Sequence, residues 1–368
     1  MGRRSTPVTN AIVFSLLRTY WRTGIVTGMK QTEIPLLLEQ ALEPSWLSGA
    51  LGTPIAAVET VEVITTVATK ARFRALPADG SGPLALCIKG LFGDDPMTRM
   101  GGPTMVKEAD FYGKIAAHLA VQAPTCVTSV IVRDERQAVV IMRDLIAEGA
   151  TFCSALDPFT ADEAAASVEQ VAALHAGRGI LTANPWITRR IDDFANRPHM
   201  TAEALQDLLD DPRGDFLPAD TKDAERLPAG ITVLAARDAA RPQFLVHGDA
   251  HAGNIFRTTQ GTGLIDWQLL QSGGWALDVA YHLCAVLPVE LAEVEERRLL
   301  GHYLDHARGL GLTMPDAETA WAQYREALVY GFYLWSITRR VDPPIIREFT
   351  KRLGLAVARH GSFELLGV

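Results

Sequence analysis

The sequence predicts an α+β protein in two parts: an N-terminal antiparallel sheet with a long helix, and a mostly helical C-terminal part. The chain has 368 residues, too many for one small core and suitable for two lobes. Hydrophobic residues make up 48% and charged residues 21%, which is a globular composition. Strand-like alternation with one long amphipathic helix extends to about residue 142, and helical spacing dominates afterwards.

Charge and cysteine content exclude several classes of protein. The formal net charge of −8, from 35 Lys+Arg and 43 Asp+Glu, argues against a nucleic-acid partner bound through phosphates. Four cysteines without a CxxC pair disfavour a disulfide framework or structural zinc site and favour a cytoplasmic location. No uncharged apolar stretch is long enough to predict a membrane span.

Residues 1–49 are predicted to be an N-terminal extension and a helix. Apolar residues 11–17 follow two arginines and resemble a signal peptide, but the run is short and no cleavage site follows. We therefore expect no cleaved signal, and Met29 is an alternative start of the natural chain. Helical spacing of apolar residues predicts a helix over residues 30–48.

Residues 50–142 are predicted to form the sheet-bearing lobe. Alternating apolar and polar residues predict a strand, a turn with two glycines follows it, and an apolar strand returns from the turn. A helix opens at Gly101-Gly-Pro, and two more strands follow it. The predicted strands are 64–76, 84–89, 126–132 and 138–142, and the helix is 104–120.

Residues 143–368 are predicted to form the helical lobe. The sequence Thr160-Ala-Asp-Glu163 is a capping box, which starts a helix by satisfying its first free N–H groups. A short apolar strand and a small hairpin interrupt the helices. The further predictions are a strand at 244–246, a hairpin over 254–265, and helices within 275–287 and 317–358.

The densest polar cluster is His247-Gly-Asp-Ala-His-Ala-Gly-Asn254, followed by Leu264-Ile-Asp-Trp-Gln268. The hairpin between them brings its ends together, so Asp249, Asn254 and Asp266 can converge on one cleft. Two carboxylates and an amide oxygen are hard ligands that suit Mg²⁺, and a carboxylate can act as a base for a hydroxyl.

The spacing of these groups matches the catalytic pattern of kinases, in which an Asp, an Asn and a later metal-binding Asp follow in order. Lys89 ends an apolar strand, where it could bind nucleotide phosphates. Glu108 follows nineteen residues later on the predicted helix and could pair with Lys89. Taken singly, a strand lysine and a helix glutamate are usually solvated side chains. When both residues precede the polar cluster in this order, however, the pattern is specific to kinases.

The chain resembles the aminoglycoside phosphotransferase and choline kinase superfamily of small-molecule kinases, and within it the ecdysteroid-kinase-like branch. The similarity covers about residues 46 to 281. The motifs that carry it are Val246–Asn254, Ile265–Gln268 and Asp278-Val-Ala-Tyr281, with support from Trp46-Leu47, Lys89, Lys107-Glu108, Phe111-Tyr112 and Leu174-His175-Ala176. The resemblance implies a two-lobed protein-kinase-like fold.

The resemblance also implies a role for each matching residue. Asp249 would be the base, Asn254 and Asp266 would bind Mg²⁺, and the pair of Lys89 and Glu108 would contact the phosphates of ATP. The supporting roles are backbone contacts to adenine from Arg143 and Leu145, a brace for the catalytic loop from Asp278, and packing within that loop by His247 and His251.

Two departures from the kinase pattern matter. The turn over 64–69 contains no glycine, so no glycine-rich loop covers the phosphates, and GTP remains an alternative to ATP. Trp267 and Gln268 stand where protein kinases have Phe-Gly.

Only eleven residues separate Asp266 from Asp278, and no Ala-Pro-Glu follows. This leaves no room for an activation loop and disfavours protein kinase activity.

The predicted partner is a small-molecule alcohol, and the oligomeric state is not predicted. Six aromatic residues between 321 and 335 are more typical of a core than of a pocket wall. Residues 321–368 hold seven Lys/Arg against four Asp/Glu. This balance favours a neutral or anionic, fairly apolar acceptor over a polycationic aminoglycoside.

Other readings remain open at this stage. One is an antibiotic phosphotransferase of the aminoglycoside type, and another is a non-catalytic pseudokinase that only binds nucleotides. A third is nucleotidyl transfer to protein. A fourth is a metal hydrolase with His247, Asp249 and His251 as ligands, which would leave Lys89 and Asn254 without roles.

Overall fold

The computed structural model describes residues 33–65, 68–197 and 199–368. The N-terminal part is a five-stranded antiparallel sheet with strand order β1-β2-β3-β5-β4. Its strands are β1 (Ile55–Thr65), β2 (Thr69–Pro77), β3 (Leu84–Gly90), β4 (Cys126–Val132) and β5 (Gln137–Arg143). The predicted antiparallel sheet is confirmed. The expectations for residues 1–28 lie outside the described residues.

The sheet contains one strand more than the sequence predicts. The predicted strand at 64–76 corresponds to β2, and β1 was missed because Ile55 is its only fully buried residue. An edge strand that is mostly exposed has no apolar face and therefore no alternating pattern. The β2–β3 hairpin matches the predicted turn, and its register places Lys70 opposite Lys89.

The helices of this lobe differ from the predicted ones at their ends. They are α1 (Leu38–Ala41), α2 (Pro44–Leu51), α3 (Pro96–Met100) and α4 (Gly102–Asp110). The single helix predicted over 30–48 is wrong, because Glu43 is extended and Pro44 starts a new helix. The helix predicted over 104–120 ends at Asp110 and continues as a π-helical turn at Phe111–Ile115.

The C-terminal part is mostly helical, as predicted. Its helices are α5 (Ala161–Ala176), α6 (Ile180–Ala183), α7 (Arg190–Asn196), α8 (Ala202–Asp210), α9 (Arg226–Ala239), α10 (Ala276–Val286), α11 (Val289–Gly309), α12 (Ala317–Ile337), α13 (Pro343–His360) and α14 (Ser362–Leu366). The predicted capping box at Thr160 is present. The helices predicted within 317–358 are α12 and α13, and α13 begins at Pro343. None of the described helices has the length and apolarity needed to cross a membrane.

Two small sheets lie within the helical part. They pair β7 (Phe244–Val246) with β10 (Gln271–Gly273), and β6 (Thr151–Phe152) with β8 (Ile255–Thr258) and β9 (Gly261–Leu264). We call β1–β5 with α1–α4 the sheet lobe and the rest the helical lobe. The boundaries predicted at residues 49 and 142 stay predictions. The two lobes meet just after α4, where the Phe111 ring stacks on the Trp267 ring with centroids 3.8 Å apart.

Candidate active site

A buried lysine joins the two lobes. The Lys89 Nζ lies 2.6 Å from Glu108 Oε2 on α4 and 2.9 Å from Asp266 Oδ1 in the helical lobe. Burial alone would lower the pKa of Lys89, but the negative charges of Asp266 and Glu108 outweigh it and raise that pKa. Lys89 is therefore a permanent positive charge in the cleft. It brings together Glu108 and Asp266, although Asp266 lies 177 residues after Lys89 in the sequence.

A second lysine stands beside it. Lys70 lies opposite Lys89 on the neighbouring strand, and its Nζ is 3.8 Å from Asp266 Oδ2. Its side chain is 32% exposed, so it can still reach a ligand. The local sequence pattern does not mark Lys70 as a site residue, although counting back from the predicted hairpin turn pairs it with Lys89.

Asp278 at the start of α10 supports the loop of residues 247–254, which we call the polar loop. Its carboxylate accepts hydrogen bonds from the backbone N–H groups of His247 (2.7 Å) and Gly248 (2.8 Å) and contacts His175 Nε2 at 3.2 Å. Burial would raise the pKa of Asp278, but the His175 contact outweighs it and lowers that pKa. Gly248 has φ +79°, and a Cβ there would lie 2.5 Å from the Leu269 carbonyl oxygen. Only glycine fits this turn.

The two histidines of the loop bond within it. His247 Nδ1 accepts the Asp249 N–H at 3.2 Å, and its Nε2 donates to the Ile265 carbonyl at 3.0 Å. His251 Nδ1 accepts the Gly253 N–H at 3.0 Å. Burial lowers the pKa of both rings, that of His251 to about 4. Both nitrogens of His247 are engaged, which speaks against its role as a metal ligand in the hydrolase reading. In the described part of the chain, no group of three or more His, Cys, Asp or Glu residues could hold a metal.

Asp249 lies at the centre of a hydrogen-bond network. Tyr281 Oη donates to its Oδ1 at 3.0 Å, and Trp335 Nε1 donates to that hydroxyl at 2.6 Å. Asn254 Nδ2 donates to the Asp249 backbone oxygen at 2.8 Å. Burial, followed by the charge of Asp266, raises the pKa of Asp249 to about 6. The carboxyl is thus a stronger proton acceptor than an ordinary aspartate.

Asp266 has the opposite electrostatic environment. Burial would raise its pKa, but Lys89 and Lys70 outweigh this effect and lower the pKa to about 2. Its backbone has φ +66°, a left-handed conformation that residues other than glycine rarely adopt. The two carboxylates of the site therefore have very different pKa values. Asp266 is a permanent anion, and Asp249 is a potential base.

The residues present fit a Mg²⁺ ion. Asn254 uses its amide nitrogen within the loop, and no N–H or O–H of the described residues donates to its Oδ1. The Asp266 carboxylate is ionised and 16% exposed. One amide oxygen and one carboxylate are the kind of sparse, hard donor set with which proteins bind Mg²⁺ together with substrate phosphates.

The predicted adenine contacts lie at the end of β5. The Arg143 N–H donates to the Thr125 carbonyl at 2.9 Å, so this group is engaged. The Leu145 N–H has no hydrogen-bond acceptor in residues 33–65, 68–197 and 199–368, whereas its carbonyl accepts from Ala150 at 2.8 Å. The Leu145 N–H is therefore free to donate a hydrogen bond to the nucleobase of a bound nucleotide.

The aromatic cluster of α12 is mostly buried, as in a core. Two of its members support the polar loop, since Tyr330 Oη donates to the Gly248 carbonyl at 2.9 Å and Trp335 bonds Tyr281. The sequence alone predicts no role for Tyr281. Its position three residues after Asp278 on α10 was the available signal, because that spacing puts both on one helix face.

Comparisons with known proteins found similar solved structures and one matching family. No curated protein sequence matches the chain. Several solved structures are similar. An ethanolamine kinase from Plasmodium vivax has 13% identity and a TM-score of 0.48, covering 81% of each chain. A choline kinase from Streptococcus pneumoniae has 15% identity and a TM-score of 0.46, covering 83% of this chain and 94% of its own. An aminoglycoside-3'-phosphotransferase of type VIII has 21% identity and a TM-score of 0.43, covering 74% and 93%.

The predicted two-lobed fold class, with an antiparallel sheet followed by a mostly helical part, is confirmed. A sequence profile described as the phosphotransferase enzyme family matches residues 103–326. This range includes Glu108, the polar loop, Asp266 and Asp278. The chain therefore belongs to the phosphotransferase enzyme family.

Proposed function

We propose that this phosphotransferase moves the γ-phosphoryl group of Mg²⁺-bound ATP to a hydroxyl of a small, fairly apolar molecule. The observation that carries the proposal is the contact of Lys89 with both Glu108 and Asp266 beside the loop that holds Asp249. A cation, an ionised metal ligand and a base thus share one cleft. Phosphoryl transfer needs these parts, because most of its catalysis is positioning and charge neutralisation.

Each side chain then has a defined task. Asp249 orients the acceptor hydroxyl and takes its proton as the oxygen bonds to the γ-phosphorus. The bond from that phosphorus to the bridging oxygen breaks, and the nucleoside diphosphate leaves with the bond's electrons. Lys89 and Lys70 neutralise phosphate charge. Asn254 and Asp266 would hold Mg²⁺, which when bound offsets the charge of the phosphates.

The remaining residues maintain this arrangement. Asp278 fixes the loop through His247 and Gly248, and Tyr281 fixes the Asp249 carboxylate. The Leu145 N–H is available to the adenine ring, and the same group would serve guanine of GTP. Within the family, we place the chain in the ecdysteroid-kinase-like branch on its sequence motifs, with a cytoplasmic location.

The substitution Asp249→Asn tests the proposal. We expect turnover of MgATP with a panel of hydroxyl compounds to fall about 10³-fold, the scale of general base catalysis. Nucleotide affinity should stay within about twofold, because Asn254 and Asp266 are untouched. Labelled γ-phosphate in the product confirms phosphoryl transfer, whereas label from the α-phosphate would indicate nucleotidyl transfer. Wild-type turnover in Asp249→Asn would refute the base assignment.

A further inference from the structure

Two basic side chains near the site form no ion pair with an acidic residue in the described parts of the chain. Lys107 is next to Glu108 on α4, and Arg190 is the first residue of α7; both are half-buried. Among residues 33–65, 68–197 and 199–368, neither side chain makes an ion pair or a hydrogen bond. The Arg190 Nε is fully buried, and no described residue accepts a hydrogen bond from it. By contrast, the neighbouring Arg189 bonds two aspartates.

Two aromatic rings connect Arg190 to the polar loop. Its guanidinium carbon is 5.2 Å from the centroid of the Phe194 ring, which is 6.3 Å from the ring of Tyr330. Tyr330 Oη donates to the carbonyl of Gly248, the residue before Asp249. Contacts through Phe194 and Tyr330 thus connect Arg190 to the residue before Asp249.

The backbone of α7 is anchored to the same region. The Ile191 N–H donates to Gln271 Oε1 at 3.2 Å, and Gln271 Nε2 donates to Tyr330 Oη at 2.7 Å. Gln271 follows Asp266 by five residues. The start of α7 is thus fixed relative to both Asp266 and the loop, and Arg190 has a defined position.

The two cations are close enough to affect each other. Burial, followed by the positive charge of Arg190, lowers the pKa of Lys107 to about 8. Asp193 partly offsets the effect, but it is exposed and pairs with neither cation within 4 Å. Like charges that are partly removed from water and lack a counter-charge cost free energy, which a bound anion would offset.

We propose that Lys107 and Arg190 form an anion-binding subsite of the acceptor pocket, which selects alcohols that carry a carboxylate or a phosphate. The inference rests on the proposed function. Arg190 supplies a planar fork for two oxygens, held against the face of Phe194, and Lys107 supplies a second positive charge. The same charges repel an ammonium group and disfavour aminoglycosides as acceptors.

The test uses straight-chain alcohols of equal length that end in a carboxylate, a phosphate, a hydroxyl or an ammonium. We expect kcat/KM with MgATP to be at least about tenfold higher for an anionic end than for the ammonium end. The substitution Arg190→Gln should lower kcat/KM for the anionic alcohols about 10- to 100-fold through KM, and Lys107→Gln should act in the same direction. Neither should change the KM for ATP or the rate with the diol.

Lys114→Gln is the matched control. Lys114 is exposed and pairs with Asp110, which keeps Arg133 as a partner. The substitution removes one positive charge near the site and should change no acceptor preference. Arg190→Lys should recover part of the loss, which distinguishes a lost charge from a lost fold.

Three outcomes would overturn the subsite while leaving the kinase proposal intact: a preference for the ammonium alcohol, an equal loss for all acceptors in Arg190→Gln, or a raised KM for ATP. Calorimetric titration of the carboxylate alcohol into Asp249→Asn provides a readout without turnover. Binding that is lost on adding Arg190→Gln supports the subsite even if no acceptor is phosphorylated by the wild type. Absence of such binding overturns it.

Discussion

The two sides of the cleft hold their charged groups by different means. On the sheet side, Lys70 and Lys89 project from adjacent strands and are held by ion pairs. On the helical side, the Asp249 carboxylate accepts hydrogen bonds from Tyr281 and Asn254. The Asp278 carboxylate accepts two backbone N–H groups of the polar loop and contacts His175 on α5. The sheet side therefore offers charge, and the helical side offers fixed geometry.

This difference indicates how the site divides its work. A phosphate chain tolerates some freedom in its counter-charges, because Coulomb energy falls gradually with distance. A base must face one proton, so its carboxylate needs fixed partners. We expect substitutions on the sheet side to affect mainly nucleotide binding and substitutions on the helical side to affect mainly turnover.

After Asp249→Asn, the largest effect on activity is expected for Lys89→Met. Loss of the buried cation should lower kcat/KM for ATP about 100-fold, as for removal of one electrostatic donor. It also leaves Glu108 unpaired in the interior, so the free energy of unfolding should fall by about 3 kcal/mol. Steady-state kinetics and urea denaturation measure the two effects.

The double substitution Lys89→Met with Glu108→Gln separates stability from activity. It removes the uncompensated buried charge and should recover most of the stability, while activity stays low. If activity returned with stability, Lys89 would be a structural residue and the sheet side would not bind phosphate through it.

Asp278→Asn tests the helical side. Asparagine has one acceptor oxygen for the N–H groups of His247 and Gly248, so the unfolding free energy at pH 7 should fall by about 2 kcal/mol. The pKa of Asp278 is lowered in the folded protein, so its stabilisation is full above its ordinary pKa and lost as pH falls through the folded value. Urea denaturation across that pH range should show that the difference in unfolding free energy between Asp278→Asn and the wild type becomes smaller in acid. A gap independent of pH would contradict this assignment.

Tyr281→Phe removes one donor from Asp249 and the acceptor of Trp335 Nε1. We expect kcat to fall about tenfold with the KM for ATP unchanged, because the base loses its orientation and the nucleotide site is intact. Trp335→Phe is the companion variant and should act in the same direction but less. An effect on KM alone would remove the distinction between the two sides.

The sequence was sufficient for the groups that face each other across the cleft, because each carries its own pattern. Lys89 ends an apolar strand, and Asp249, Asn254 and Asp266 have a diagnostic spacing. The sequence was insufficient where contacts depend on packing between distant helices. The bond of Trp335 to Tyr281 joins α12 to α10, and no local pattern places those helices side by side.

Fold prediction failed for similar physical reasons. The edge strand β1 was missed because its residues are mostly exposed and lack alternation. The long helix predicted over 30–48 ignored Pro44, which ends one helix and begins another. The first error arises because β1 has no buried face, and the second because the local signal of a proline was overlooked.

The smallest effect is expected for Lys70→Gln. Lys70 is partly exposed and lies 3.8 Å from Asp266, so water screens its charge much more than that of Lys89. The KM for ATP should rise about threefold, the scale of an exposed ion pair, with kcat unchanged and the effect weaker at high salt. Arg74→Gln, on the same strand and paired with Glu59 away from the cleft, is the control and should leave KM unchanged. A loss as large as that of Lys89→Met would mean that Lys70 bears directly on the transferred phosphate, and the sheet side would then be as exacting as the helical side.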